Sequence, residues 1–344
     1  MQPAALDVSI INNCPTYSGI GRYTNELYSL LSPYFSLGYF TLPLTDGDEF
    51  PGKIVKRKTT IPFTSGWFFG SMFTKTAFDV ALLNGLLHYG SAMIRPWTED
   101  GIVTVLDLIP LSFGNNRLEK LVLKRNLKVF KNFSFVTAIS ERVKNELASR
   151  KFPEENLHTV YPNISKSFFP INDAEKSKLR REIGIPADKK LVISVSGATK
   201  NKNIEMISRI AKDLSGDCQI IHVGSSVDGV LNLNNLPNEV LNKLYNSADV
   251  FLAPSLDEGF GYPPIEAQKT GLPVVANDID IFRETLGDSA VLVKNSEEEY
   301  LKGINYALKD DSFRKKSLIN SSRFTAEKFV SDMKAIYQDA IKLL

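Results

Sequence analysis

The sequence predicts a parallel α/β protein made of two halves. Short β-branched runs alternate with helical patterns along the chain, the signature of strands joined by crossover helices. The chain is 344 residues long, more than a single core of ~250–300 residues usually fills. The alternation also breaks once and restarts.

The first half opens with the strand "LDVSII" (Leu6–Ile11), a loop, and an amphipathic helix from about Arg22. "FDVALLN", "GIVTVLDL" and "FSFVTAIS" follow as buried strands. Pro162 to Ala174, "PNISKSFFPINDA", is interrupted by polar and proline breaks and reads as a linker. The pattern resumes with "KLVISVSG", "CQIIHVG", "ADVFLAP" and "LPVVAND", each followed by a helix. A last helix, Thr325 to Leu343, has no strand after it. The expected division is therefore 1–165, 166–324 and a C-terminal helix, 325–344, packing back on the first half. Two Rossmann-like halves facing each other would leave a cleft, the default place for a ligand.

Composition narrows the function. The chain is 43% apolar and 23% charged with a formal charge of +2, without the basic excess of a dedicated nucleic-acid binder. Its two cysteines, Cys14 and Cys218, have no metal-ligand spacing and suit a reducing compartment. The start "MQPAALDVSIINN" lacks a basic segment of the secretory kind. The most apolar window, Val80 to Ile94, contains Asn84 and His88 and is too short and polar to span a bilayer. A soluble, cytoplasmic protein is expected.

"DEGFGYPPIEAQKTGLPVV" carries the chemistry. Pro263 and Pro264 suit the first turn of a helix, which Gly271 would end. Glu258 then sits in the bend after a strand, and Glu266 in the first helical turn. Gly259, Phe260, Gly261 and Tyr262 would offer uncovered backbone amides to an anion or to hydroxyls. Two carboxylates beside a bare phosphate would repel it, so a ligand with both hydroxyls and phosphate fits better. In a nucleotide sugar, Glu266 would take the ribose hydroxyls and Glu258 the sugar. The helix dipole alone also favours a glutamate there.

"PSLDEGFGYPPIEAQKTGLPVV" with "FRETLGDSAVLV" resembles the donor domain of the retaining family 4 glycosyltransferases of GT-B fold (glycosyl transferases group 1). Glu258 and Glu266 match that family's E-x7-E motif. "SGIGRYTNEL", "VTVLDLIPL", "TAISERVKNEL", "TVYPNISKSFFP" and "GATKNKNIEMI" follow the family's order over nearly the whole chain. The resemblance implies transfer of a sugar from a nucleotide diphosphate to a glycan or lipid-linked acceptor, with retained configuration and neither metal nor other cofactor. Two other functions share the fold: a nucleotide-sugar epimerase, and a catalytically weak binding protein.

The leaving diphosphate needs positive charge. Gly197, Lys200 and Lys202 stand at a strand end before a helix near Asn203, and Lys202 matches the family's lysine. The family's arginine is absent, with Asn201 or Ala198 in its place. Gly19 and Gly21 in "YSGIGRY" form a second glycine bend before a helix, expected near the diphosphate. The family's histidine before Asp107 is replaced by Leu106, which leaves Asp107 as the catalytic candidate there. His88, His158 and His222 lie outside this motif, and a lone histidine is more often structural, with His88, just past an expected strand end, the one candidate for a catalytic role. Asp278 and Asp280 have the D-x-D spacing of a metal pair, but their position after the E-x7-E segment assigns no metal to them.

From Arg117 to Lys131 six basic residues accompany one acidic. Arg117, Lys120, Lys124, Lys128 and Lys131 fall within about 80° of helical arc. This is either a solvated face or a patch for anionic lipid, which would make the protein peripheral at the inner face of the membrane. The aromatic "SGWFFGSMF" (Ser65–Phe73) could share that interface, line an acceptor groove or be buried.

Overall fold

The computed structural model describes residues 8–12, 19–41, 86–92, 101–182, 189–214, 216, 218–234 and 236–343. The expected strand "FDVALLN", the aromatic run Ser65–Phe73 and Cys14 lie outside them. The chain divides into two units. One is Met1–Asn163 with Ala326–Leu344, and the other is Ile164–Thr325.

The first unit holds a parallel sheet of β1 (Val8–Asn12), β2 (Leu37–Thr41), β3 (Leu86–Tyr89), β4 (Ile102–Val105), β5 (Phe135–Ala138) and β6 (Leu157–Thr159), in the order β2-β1-β3-β4-β5-β6. Its helices are α1 (Gly19–Leu31), α2 (Ile109–Ser112), α3 (Arg117–Phe130) and α4 (Glu141–Ser149). Asn116 caps α3 by accepting from the Leu118 and Glu119 amides, and Ser140 caps α4 through Val143, as short polar side chains do at helix starts. Leu123, Leu127 and Phe130 of α3 join Val103, Val105, Phe133 and Val136 in the core. The helix after the second unit, Ala326–Lys342, buries Phe329, Met333, Ile336, Tyr337 and Ala340, a helical stripe. Its rings meet those of the first unit: Phe329 sits edge-on to Tyr23 at 6.0 Å and Tyr337 to Phe35 at 5.2 Å.

His88 lies inside β3, not beyond its end. It is fully buried, with Nε2 2.8 Å from Thr104 Oγ1 and Nδ1 2.8 Å from the Tyr337 hydroxyl. Thr104 also meets Thr137 Oγ1 at 2.7 Å and the Tyr23 hydroxyl at 3.2 Å. This chain of buried polar groups ties three strands to α1 and to the C-terminal helix. His88 is therefore structural.

The second unit has α5 (Asp173–Glu182), β7 (Lys190–Ser196), α6 (Ile204–Asp213), β8 (Cys218–Gly224), β9 (Leu231–Leu233), α7 (Asn238–Ser247), β10 (Val250–Ala253), α8 (Tyr262–Lys269), β11 (Val274–Asn277), α9 (Asp280–Thr285), β12 (Val291–Val293), α10 (Glu297–Ala307) and α11 (Ser312–Ser321). The Ala326–Lys342 helix is α12. All pairings are parallel, in the order β12-β11-β10-β7-β8-β9. The four residues of β10 and of β11 are all buried, as expected of strands with helices on both faces. Sheet order reverses between β7 and β10. Ligands of such sheets bind where the carboxyl ends of strands flank that reversal.

The stretch expected as a linker has no helix or strand up to Asn172, yet it is held in place. Asn242 and Asn246, one turn apart on α7, accept from the Phe169 and Ile171 amides at 3.0 and 2.9 Å. Asn246 also donates to the Phe169 carbonyl at 2.9 Å, and Phe168 is buried beside Tyr245.

Candidate active site

The β7 and β10 strand ends bring Lys202 and Glu258 together. After β7 the chain passes Gly197 and makes a 3₁₀ turn, Lys200–Lys202. Asn203 then takes φ +53° and starts α6. After β10 the chain runs through Pro254 to Gly261 before α8. Lys202 Nζ donates to both carboxylate oxygens of Glu258, at 2.6 and 2.7 Å. Lys202 and Glu258 side chains are 23% and 12% exposed. Lys200 and Gly197 are exposed, and a Cβ at position 197 would meet nothing within 4 Å.

The glycine bend differs from the expectation of open backbone. Gly259, Phe260 and Gly261 are buried. The Phe260 ring packs edge-on against Tyr262 at 5.2 Å and Phe324 at 5.1 Å, because a phenyl ring between two turns gains most by joining the core. Gly261 has φ +89°, and a Cβ there would lie 2.8 Å from the Phe282 ring. Both facts require glycine. Pro263 and Pro264 stand in the first turn of α8, as expected. Glu266 is the fifth residue of α8, one turn deeper than expected, and is 2% exposed. It accepts from the Tyr245 hydroxyl at 3.3 Å.

Gly19 and Gly21 are corrected. They form the first turn of α1, not a bend before it. Within that helix the Thr24 hydroxyl donates to the Ile20 and Gly21 carbonyls at 3.0 Å, and Tyr23, Leu27 and Leu31 bury one face.

Asp107 follows β4 and accepts from the Ile109 amide at 3.0 Å, turning the chain into α2, and Leu106 beside it is buried. Asp278 and Asp280 both pair with Arg283, at 2.7 and 2.8 Å. The guanidinium bonded to Asp278 holds its carboxyl below the usual range. Among the described residues no group of three or more metal-ligating side chains converges. His158 in β6 stacks on Phe135 at 5.8 Å, and His222 in β8 meets the Ser196 carbonyl at 3.2 Å. Burial pushes both imidazoles down. Cys218 opens β8 and is partly buried.

Sequence reasoning missed the asparagines that join the two strand-end loops. Asn201, noted only where an arginine was expected, is 3% exposed and donates to the Asp257 carbonyl at 2.9 Å. A side-chain amide bonded to a carbonyl over 50 positions away leaves no local spacing to read.

On the α3 surface, Arg117, Lys124, Arg125 and Lys128 are exposed. Leu118 and Leu121 are 51% and 63% exposed among them. Lys120 and Lys131 are half-buried. The exposed face is thus basic and apolar together, with Arg125 and the two leucines added to the expected residues.

Residues 175–323 match the family described as Glycosyl transferases group 1. The O-antigen chain mannosyltransferase RfbU of Salmonella typhimurium is 26% identical over 230 residues, 62% of this chain and 60% of that protein. An uncharacterized glycosyltransferase of Methanocaldococcus jannaschii is 29% identical over 224 residues, 57% of this chain and 56% of that one. The chain thus spans less than two thirds of the length of these relatives. Among solved structures, the sucrose-phosphate synthase of Thermosynechococcus elongatus superposes with a TM-score of 0.80 at 17% identity, covering 98% of this chain and 100% of that one. Anabaena HepE in complex with UDP-glucose gives 0.76 at 16% identity, covering 97% and 100%. The fold is GT-B, and the similarity to the glycosyl transferases group 1 family lies in residues 175–323.

Proposed function

We propose that the protein moves a hexose from a nucleotide-diphosphate sugar to a glycan or lipid-linked acceptor, with retained anomeric configuration and no metal ion. The Lys202–Glu258 pair at the switch point of the second sheet carries this reading. It sets a cation and a carboxylate where a diphosphate and its sugar would lie, with Glu266 one turn into α8 for the ribose hydroxyls. That solved HepE binds UDP-glucose and that RfbU is named a mannosyltransferase support a nucleotide-sugar donor.

In this reading the bond from the anomeric carbon to the leaving phosphate oxygen breaks, and Lys202 offsets the charge gathering on that oxygen. The acceptor hydroxyl attacks from the same face, and its proton passes to the departing phosphate. No histidine base is required, which fits Leu106 in place of the family's histidine. Lys200, exposed in the same turn as Lys202, completes the proposed donor surroundings of the second unit, and Asp107 is a proposed catalytic residue of the first.

The basic face of α3 with its exposed leucines supports an acceptor held at an anionic membrane. Leucines would enter the interface while the cations meet lipid headgroups. Among the described residues no helix is long and apolar enough to cross a membrane. The proposal is a peripheral cytoplasmic enzyme.

Incubation with UDP-, GDP- and ADP-sugars plus glycan and lipid-linked acceptors, followed by mass spectrometry and NMR of the product, tests the function. A lengthened acceptor with the donor's anomeric configuration supports it. A changed sugar without transfer would make the protein an epimerase, and binding without turnover would make it a binding protein.

A further inference from the structure

Lys202 lies between two asparagines, and both reach across to the loop that carries Glu258. The Asn201 side-chain amide donates to the Asp257 carbonyl at 2.9 Å, and the Asn201 main-chain carbonyl accepts from the Leu256 amide at 2.6 Å. Asn203 donates to the Pro254 carbonyl at 3.1 Å and to Asn295 Oδ1 at 3.0 Å. Its φ of +53° is left-handed, a region that asparagine enters more readily than most side chains. From the end of β11, Asn277 donates to the Ser255 carbonyl at 3.1 Å and is buried. The carbonyls of Pro254, Ser255 and Asp257 are therefore each taken by an asparagine from a neighbouring strand end.

We propose that Asn201, Asn203 and Asn277 are positioning residues, which clamp the Glu258 loop to the Lys202 turn and so set the Lys202–Glu258 pair before a donor arrives. Each of their amides donates to a main-chain carbonyl of the Glu258 loop, so they act through the pair and not as donor ligands. Asn201 is thus no stand-in for the family's arginine. The catalytic consequence rests on the glycosyl-transfer reading above, whereas the clamp itself does not. Without it, the two loops would have to be ordered on the way from bound donor to transition state, at an entropic cost that falls on kcat. A misplacement of about 1 Å at a reacting centre can lower the rate ~10²-fold.

Two variants of the full chain test this. Asn201→Asp keeps the shape but sets a carboxylate against the Asp257 carbonyl. Asn203→Gly keeps the left-handed backbone and removes the amide, so it serves if Asn201→Asp fails to fold. The first measurement is amide hydrogen exchange without ligand. The 254–258 segment is expected to exchange faster in the variants while the rest of the second unit is unchanged, and unchanged exchange at 254–258 would overturn the clamp.

The second measurement is kcat and KM with the nucleotide sugar that the wild type turns over. We expect kcat to fall about 10- to 100-fold with donor KM little altered. In a Glu258→Gln background the asparagine changes should add almost nothing, since coupled residues are not additive. An equal loss in both backgrounds, or a rise in KM alone, would overturn positioning through the pair. A wild type that turns over none of these sugars would refute glycosyl transfer, and the exchange measurement would still decide the clamp.

Discussion

Lys202 Nζ sits 2.6 and 2.7 Å from the two oxygens of Glu258, although 56 positions separate the residues. The cation assigned to the diphosphate and the carboxylate assigned to the sugar are each other's partners. A half-buried ion pair costs most when one member is removed and the other is left unpaired. The pair therefore holds the Glu258 carboxylate in place, and in the proposed reaction a diphosphate would come to share the ammonium.

Replacing Lys202 with Ala should reduce kcat by ~10²–10³, as loss of one fixed donor to a developing anion does. Activity of the wild type should persist in EDTA, because Arg283 already holds Asp278 and Asp280. Steady-state kinetics with and without chelator check both. A near-normal kcat in the variant, or activity restored only by added manganese, would count against these roles.

Glu266 and Glu258 should separate on nucleotide binding. Glu266→Ala should weaken binding of the free nucleoside diphosphate, since its carboxylate is the one proposed to take the ribose hydroxyls. Glu258→Ala should leave that affinity nearly intact while harming turnover. Titration calorimetry with UDP, GDP and ADP reads the difference, and equal effects of the two substitutions would contradict the division.

How far the sequence carried these assignments depended on the kind of signal. β10 and β11 were readable because their runs are apolar without interruption, the mark of strands covered on both faces, and β7 because only Ser194 breaks its run of β-branched and aliphatic residues. β6, β9 and β12 have three residues each, too few to show a period. The first turn of α1 escaped because Gly19, Ile20 and Gly21 carry no helical pattern, so the glycines read as a bend. Glu258 and Glu266 stood out by spacing within one segment. The asparagine clamp and the His88 chain did not, because they pair groups from distant segments, up to 249 positions apart.

His88 should make stability sensitive to acid. Burial pushes its pKa down to about 3 and that of Tyr23 beside Thr104 up to about 12, while the Tyr337 hydroxyl is also raised by burial. Unfolded histidine titrates near 6.5, at roughly the ordinary value. The stability that neutral His88 contributes is thus complete above about pH 6.5. It falls as pH drops towards the folded value, by at most ~1.4 kcal/mol per pH unit. Urea unfolding of the wild type and His88→Gln between about pH 6.5 and 4 checks this. The wild type should lose stability more steeply, and parallel curves would refute it.

The α3 face should bind anionic bilayers. Sedimentation with phosphatidylserine vesicles is expected at low salt and should fade as ionic strength rises, since charges reach only about 8 Å at physiological salt. Reversal of Lys124 and Lys128 to Glu, both on the exposed arc, should abolish it without unfolding the protein. Leu121→Ser should weaken it with the salt dependence unchanged. Equal recovery of wild type and variants in the pellet would return the helix to a solvated face.

The central claim is that the Lys202–Glu258 pair is the catalytic centre of sugar transfer. Nucleoside diphosphate release from UDP-, GDP- and ADP-sugars, measured for the wild type, Lys202→Ala and Glu258→Gln, tests it most directly. Release by the wild type from at least one sugar, falling in both variants while their folding midpoints hold, is the predicted result. No release from any of these sugars, or variants that release as fast as the wild type, would contradict it.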